Sequence, residues 1–219
     1  MSGGRHIVVV GNGEVPDSAF SAIEGADIVV RFNDCRSAQA GNVRTDVVAV
    51  CNTGRPAKAM LGSSVWGDSE AVRRAGEIWS VRDPRRFAAL CPQLAVSHPE
   101  LDDFCDDYTD GFAAFAAASG KRHRVIGEAV HLAVDAALGR HQPGPYIVPS
   151  SGMIVIADLL SSGSPDRISI VGFSHVGWEG HPFAAERRLV DAYVAEGRLR
   201  RLDSGIAVQN AMPYISGRG

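Results

Sequence analysis

The sequence has few of the features that mark several large classes of protein. Its 219 residues include four cysteines, and no two of them form a Cys-x-x-Cys pair, so neither a disulfide scaffold nor a cysteine-based zinc site is expected. Aromatic residues make up 7% of the chain, the formal net charge is -3, and no basic tail or basic and aromatic stripe is present. Because phosphate backbones attract positive surfaces, nucleic acid is not an expected partner.

Long apolar runs and metal-binding patterns are missing too. The run Ile7–Val10 is too short for a signal peptide, and the run Met153–Leu160 is interrupted by Asp158. The histidines form no i,i+4 pair, and no Asp-x-Asp pair occurs, so a bound metal is not expected. We therefore expect a cytoplasmic protein with reduced, buried thiols, no transmembrane segment and at most peripheral contact with a membrane.

The composition that is present suits one α/β domain. Hydrophobic residues account for 45% of the chain, enough for a sizeable core. Unbroken β-branched runs are typical of strands covered on both faces. Such runs lie at His6–Val10, Asp27–Phe32, Asp46–Cys51, Ile78–Val81 and Ile168–Val171. We predict a Rossmann-like single domain over residues 1–219, with a mainly parallel central sheet flanked by helices.

Helical patterns separate these runs. Helices are predicted at Asp17–Glu24, Ser150–Leu160 and Pro182–Glu196, and the whole segment Asp83–Gly139 is helical in pattern. Acidic residues between Asp102 and Asp110 are interpreted as a solvated face of that segment.

A glycine turn follows the first predicted strand. Gly11, Asn12 and Gly13 lie where an open α/β sheet usually binds its ligand. A dinucleotide fingerprint would require Gly or Ala at the position of Pro16, so classical NAD binding is disfavoured. Two interpretations remain open at this point: the turn binds a nucleotide or its phosphate, or it is a tight turn without a ligand.

Three segments, taken together, resemble the sialyltransferase family of metal-independent, inverting glycosyltransferases. The first is Val10-Gly11-Asn12 followed by the strand that ends in Arg31-Phe32-Asn33. The second is Pro149-Ser150-Ser151-Gly152, then an apolar helix and a strand ending in Gly172-Phe173, and the third is His181-x4-Glu186. This resemblance implies a CMP-sugar donor, with sialic acid or Kdo as the sugar, and a bacterial glycan or glycolipid acceptor.

The resemblance also implies roles for individual residues. His181 is the expected general base, and Glu186 is expected either to cap backbone N–H groups or to orient the imidazole. An ordinary histidine pKa near 6.5 would suit that base. His175 and Trp178 are candidate contacts of the acceptor or leaving group. The predicted donor-binding residues are Gly11, Asn12, Gly13, Asn33, Asn52, Ser150, Ser151 and Gly152, with no metal and no organic cofactor.

Two other functions compete with transfer from a CMP-sugar. One is a non-catalytic nucleotide- or glycan-binding module, because the family's short motif of histidine and aromatic residues is not recognisable here. The other is an NAD-dependent oxidoreductase, which Pro16 disfavours. The sequence does not determine the oligomeric state.

Overall fold

A seven-stranded parallel sheet forms the centre of the computed structural model, which describes residues 4–39, 42–164 and 166–202. The strands are β1 (His6–Val10), β2 (Ile28–Phe32), β3 (Val47–Val50), β4 (Glu77–Ser80), β5 (Arg122–Val125), β6 (Arg167–Val171) and β7 (Arg200–Arg201). Their order across the sheet is β5-β4-β3-β2-β1-β6-β7, and every neighbouring pair is parallel. The predicted fold class, a Rossmann-like α/β domain with a mainly parallel sheet, is confirmed.

The strand order places a topological switch point between β1 and β6. From β1 the chain builds the sheet outward to β5, and it then returns to the other side of β1 to form β6. Loops that follow β1 and β6 therefore diverge and leave a crevice at the carboxyl edge of the sheet, where open α/β sheets bind ligands.

Nine α-helices and two short 3-10 helices lie in the described part of the chain. The α-helices are α1 (Phe20–Glu24), α2 (Gly54–Leu61), α3 (Ser64–Asp68), α4 (Glu70–Arg74), α5 (Pro84–Ser97), α6 (Thr109–Ala118), α7 (Glu128–Gly139), α8 (Ser151–Ser161) and α9 (Phe183–Ala195). The 3-10 helices are Asp17–Ala19 and Pro99–Leu101.

Helices cover both faces of the sheet, which explains why the strand runs are apolar without alternation. Alternate strand residues such as Val9 and Val30 pack with α7, α8 and α9 on one face. Their neighbours Val8 and Val29 pack with α1 on the other face, while Val48 faces α2, α4 and α6. Because successive side chains of a strand point to opposite faces, two apolar layers require an uninterrupted apolar run.

The segment 83–139 is not helical throughout. It contains the strand β5, whose sequence Arg-His-Arg-Val lacks an apolar run because it lies at the edge of the sheet. Its acidic residues lie largely in the non-helical stretch between α5 and α6, where Arg55 pairs with Asp102 and Asp103. The prediction of a helical pattern for that stretch was therefore wrong, whereas the side chains of Asp102, Asp106, Asp107 and Asp110 are exposed, in agreement with the interpretation as a solvated face.

The cysteines are free, but the expectation that all of them are buried is met only by Cys35. The other three, Cys51, Cys91 and Cys105, are half-buried. Among the helices of the described residues, none combines the length and the apolar character needed to cross a bilayer.

Candidate functional site

A cavity of about 420 Å³ lies in the crevice at the switch point. Its walls come from the turn after β1, the end of β2, the start of α8, the loop after β6 and the start of α9. All but one of the residues predicted to form a site line this cavity, and the exception is Asn52. The described structure thus brings eleven residues from four distant stretches of sequence to one place.

The glycine turn after β1 interlocks with the turn after β6. Gly11 N–H donates to the Val171 carbonyl at 2.8 Å, and Gly13 N–H donates to the Gly172 carbonyl at 2.9 Å. A Cβ on Gly11 would lie 2.3 Å from the Gly172 oxygen, and one on Gly13 would lie 2.8 Å from it. Close packing of two backbones therefore accounts for both glycines without a ligand.

Asn12 and Asn33 both hold neighbouring backbone. The Asn12 side-chain amide donates to the Phe32 carbonyl at 3.2 Å, whereas its Oδ1 is buried without a hydrogen-bond partner among the described residues. Asn33 has a φ of 51°, a left-handed conformation in which asparagine is enriched. Its Oδ1 accepts from Cys51 N–H at 2.8 Å, and its carbonyl accepts from Trp66 Nε1 at 2.8 Å.

Ser150 caps α8 and binds Glu186 at the same time. Its hydroxyl accepts from Met153 N–H at 3.2 Å, and its own N–H and hydroxyl donate to the two Glu186 carboxylate oxygens at 2.6 and 2.7 Å. Glu186 is almost fully buried, and burial raises the pKa of its carboxyl group. Of the two roles expected for Glu186, the described contacts show the binding of a backbone N–H at the helix start.

The next residues of α8 face the cavity. In an α-helix the first N–H groups have no partner inside the helix, so those of Ser151 and Gly152 are available at this end. Close packing also explains why residue 152 is a glycine, because a Cβ at Gly152 would lie 2.6 Å from the Phe173 ring. Phe173 in turn packs edge-on against Phe32, with ring centroids 6.0 Å apart.

His181 is held by the backbone and by aromatic rings. Its Nδ1 donates to the Val148 carbonyl at 2.8 Å, which leaves Nε2 as the unprotonated nitrogen of the neutral ring. Burial, reinforced by the positive charge of Arg82, lowers the pKa of His181 to about 4. The expectation of an ordinary pKa near 6.5 was wrong, because the sequence does not show that this ring is desolvated.

His175 and Trp178 lie in the loop after β6 and line the same cavity. His175 has a φ of 52°, and its Nε2 lies 3.5 Å from Arg201 Nη2. Trp178 packs edge-on against His181, with ring centroids 4.9 Å apart, and it also packs against Phe104, with ring centroids 5.5 Å apart. The two residues shape the wall of the cavity.

Asn52 lies outside the cavity and is fully buried. Its amide exchanges two hydrogen bonds with the Arg82 backbone, at 3.0 and 2.7 Å, and donates to the Thr109 hydroxyl at 2.6 Å. These contacts connect the loop after β3 to the loop after β4 and to the start of α6. The structure therefore does not place Asn52 beside the other predicted donor-binding residues.

Arg82 is a buried residue near this site that the sequence reasoning missed. Its Nη1 donates to the Pro149 carbonyl at 3.0 Å, beside the start of α8, and its guanidinium lies 5.1 Å from the Phe87 ring centroid. Its Nε has no hydrogen-bond partner among the described residues. The available signal was its position just after an apolar strand, the same position that drew attention to Asn33 and Asn52.

A larger groove of about 700 Å³ lies at the opposite, amino-terminal edge of the sheet. Its charged side chains are largely paired with one another. The ion pairs are Arg5–Asp166, Arg122–Glu77 and Arg124–Asp158. Because these charges already satisfy each other, the smaller cavity at the carboxyl edge is the stronger candidate for a ligand.

The fold and the crevice together define a doubly wound α/β protein with a candidate ligand site at its topological switch point. No protein-family model matches the chain. The chain is 56% identical over 204 residues to the "Urease operon 23 kDa accessory protein" of Rhizobium meliloti (strain 1021), which covers 92% of this chain and 94% of that protein. It therefore belongs to the family of that urease operon accessory protein.

A solved structure with a similar fold is a mammalian sialyltransferase in complex with Gal-beta-1-3GalNAc-ortho-nitrophenol. The two superpose with a TM-score of 0.53 at 18% identity, over 90% of this chain and 69% of that chain. At such low identity the likeness shows a common fold and no more.

The predicted membership of the sialyltransferase family was wrong, since the close relative is a urease operon accessory protein. The predicted enzyme activity, glycosyl transfer from CMP-sialic acid or CMP-Kdo, is overturned with it, as are the CMP-sugar and the glycan or glycolipid acceptor as partners. Neither the nucleotide- or glycan-binding module nor the NAD-dependent oxidoreductase gains support. That the protein needs no metal or organic cofactor stays a prediction.

The structure gives a physical reason for this error. The motif residues Gly11, Gly13 and Gly152 are explained by close packing, and Ser150 is occupied by a helix cap and by Glu186. Arg31 of the same motif is buried and donates to Asn42, Ser37 and the Arg44 carbonyl. Such residues follow from the architecture of the domain, so two proteins of similar fold can share them without sharing chemistry.

Proposed function

We propose that this protein is an accessory protein of a urease operon and supports the formation of active urease in the cytoplasm. The observation that carries the proposal is the 56% identity to a urease operon accessory protein over nearly the full length of both chains. A cytoplasmic location is favoured by four free cysteines in a chain of this size, since disulfides are rare in reducing compartments.

We propose further that the cavity at the switch point binds a small polar ligand as part of this role. Several hydrogen-bonding groups converge there from different elements: the N–H groups of Ser151 and Gly152, the Ser151 hydroxyl and the lone pair of His181 Nε2. A volume of about 420 Å³ is in the range of small-molecule sites.

The charges around the cavity favour a ligand rich in oxygen acceptors. Donors predominate at the start of α8, and the positive end of the helix dipole lies there. Glu186 already takes the N–H and hydroxyl of Ser150, so Ser151 and Gly152 supply the donors that are left. His181 is neutral at pH 7 because of its lowered pKa and acts there as a hydrogen-bond acceptor.

Expression of the corresponding urease operon in a urease-negative host, with and without the gene of this protein, tests the accessory role. We expect most of the urease activity, measured as ammonia released from urea per amount of urease polypeptide, to be lost without the gene. Undiminished activity in its absence would refute the accessory role.

A variant that fills the cavity tests the ligand site separately. Ser151→Leu places an apolar side chain at the cavity wall, whereas Ser161→Leu makes the same change at the exposed far end of α8 and serves as the matched control. Both should keep a wild-type melting temperature and circular dichroism spectrum. We expect only Ser151→Leu to fail in restoring urease activity; full restoration by this variant would remove the cavity from the proposal and leave the accessory role standing.

A further inference from the structure

Two of the half-buried cysteines lie beside each other although 13 residues separate them in the sequence. Cys91 lies on α5, and Cys105 lies in the stretch that connects the 3-10 helix Pro99–Leu101 to α6. The Cys105 thiol lies close enough to Cys91 for the two side chains to interact. This pair does not belong to the cavity at the switch point.

The packing of neighbouring residues places the two thiols together. On α5, Phe87 lies one turn before Cys91 and on the same face of the helix, as i and i+4 residues do. The ring of Phe87 stacks on the ring of Phe104 with centroids 5.7 Å apart, and Phe104 directly precedes Cys105. The aromatic stack therefore holds the connecting stretch against the face of α5 that carries Cys91.

The connecting stretch is also folded back on itself, which keeps Cys105 in place. Leu101 N–H donates to the His98 carbonyl at 2.9 Å, Phe104 N–H to the Leu101 carbonyl at 3.1 Å and Asp106 N–H to the Asp103 carbonyl at 3.0 Å. A thiol on a stretch ordered in this way meets its neighbour without a loss of chain entropy at the moment of reaction.

We infer that Cys91 and Cys105 are a redox modification site that forms a reversible intramolecular disulfide by exchange with a low-molecular-weight disulfide such as oxidised glutathione. One protein thiolate attacks the small disulfide, forms a mixed disulfide and releases one small thiol. The second protein thiol gives its proton to solvent and attacks the protein sulfur of the mixed disulfide, which releases the second small thiol. Two electrons pass from the protein dithiol to the small disulfide, which is reduced to two thiols.

One of the two sulfurs, that of Cys105, is hindered from making the first attack. Burial, together with the contact with Cys91, raises the pKa of the Cys105 thiol, so less of it is thiolate at neutral pH. Cys105 is therefore assigned the second attack, which leaves the first to Cys91. The remaining cysteines are separate from this pair: Cys35 is buried, and Cys51 contacts Thr53.

The disulfide would lie close to the candidate cavity. It joins α5 to the stretch that carries Phe104, and the ring of Phe104 packs on Trp178 with centroids 5.5 Å apart. Trp178 lines the cavity. The inference does not depend on the proposed accessory function.

Thiol counting on the purified full chain tests the inference. After incubation with excess oxidised glutathione, the wild-type protein should fall from four free thiols to two and should regain four with dithiothreitol. Peptide mass mapping without reductant, after cleavage at Glu100 between the two cysteines, should show one linked pair of peptides, containing Cys91 and Cys105, with the mass of two hydrogens lost. Four remaining thiols, a stable glutathione adduct on these cysteines, or a link to Cys35 or Cys51 would overturn the inference.

Serine variants provide the matched comparison. Cys51→Ser should fall from three free thiols to one, because it leaves the pair intact. Cys91→Ser and Cys105→Ser should each form no intramolecular disulfide under the same conditions. Because the linked peptide is first sought in the wild-type protein, a folding defect in either variant does not affect the test.

Discussion

At the scale of single residues, the crevice is built around positions where no side chain fits. The backbone after β1 and the backbone after β6 cross so closely that a Cβ on Gly11 would lie 2.3 Å from a carbonyl oxygen. The contact is between two backbone segments, neither of which can move aside as the end of a side chain could. Hydrogen bonds between the two turns hold both segments in place. The glycine is therefore required by packing at the switch point, whatever the cavity binds.

Substitution of this glycine should be costly. Gly11→Ala should lower the free energy of unfolding by about 3 kcal/mol or more, because an overpacked backbone contact cannot relax by rotating a side chain. Gly139→Ala is the control: no atom lies near its Cβ, and it lies in the last turn of α7, where alanine favours the helix by up to about 1 kcal/mol. Urea denaturation measures the free energy of unfolding of both variants, and equal values for the two would contradict the packing argument.

At the scale of elements, buried side chains join the loops at the carboxyl edge. Asn52 follows β3 and forms hydrogen bonds with the backbone of Arg82 after β4 and with Thr109 at the start of α6. The backbone adds to these ties, since Tyr108 N–H donates to the Asn52 carbonyl at 2.9 Å. The amide of Asn52 suits this role because it donates and accepts at once.

Loss of this amide should destabilise the protein. Asn52→Ala leaves the buried N–H and carbonyl of Arg82 without these partners, so we expect the free energy of unfolding to fall by roughly 2–4 kcal/mol. Thr109→Val removes one of the three Asn52 bonds and should cost less, about 1 kcal/mol. Thermal or urea unfolding of both variants measures the difference. A larger loss of unfolding free energy in Thr109→Val than in Asn52→Ala would contradict this, because it would show that Thr109 at the start of α6 contributes more to stability than the Asn52 amide.

At the scale of the whole molecule, burial of titratable groups links stability to pH. Burial lowers the pKa of His131 and of His181 to about 4. The unfolded chain protonates these rings near pH 6.5, whereas the folded protein resists protonation until about pH 4. The unfolded state therefore binds more protons between these values, and stability rises with pH across this window. Glu186, with its raised pKa, acts in the opposite sense.

The expected loss on acidification is measurable. Each histidine should lower the free energy of unfolding by about 2 kcal/mol as the pH falls from 6.5 to 5. His131→Gln keeps a side-chain donor near the Val81 carbonyl and removes one titrating group, so its stability should depend less steeply on pH in this range. Urea denaturation at several pH values measures the two slopes. Identical slopes for the variant and the wild-type protein would contradict the assignment.

Much of the architecture was predictable from local pattern. The runs at His6–Val10 and Ile168–Val171 coincide with β1 and, to within one residue, with β6, because two buried faces leave no alternative to an unbroken apolar strand. The cap at Ser150 and the end of α9 near Glu196 likewise follow from local chemistry. The strand β5 was not predictable, since an edge strand with exposed arginines carries no such pattern.

The sequence by itself determined the α/β class, the positions of the central strands and the polar residues at their carboxyl ends, because these depend on neighbouring residues. Only the tertiary structure decided what those polar residues contact. It placed Glu186 on Ser150, Asn52 on Arg82 and the His181 ring in a desolvated position against Trp178. Hydrogen-bond partners and burial arise from chain segments that are distant in sequence, so a local motif that resembles a known site does not by itself define its chemistry.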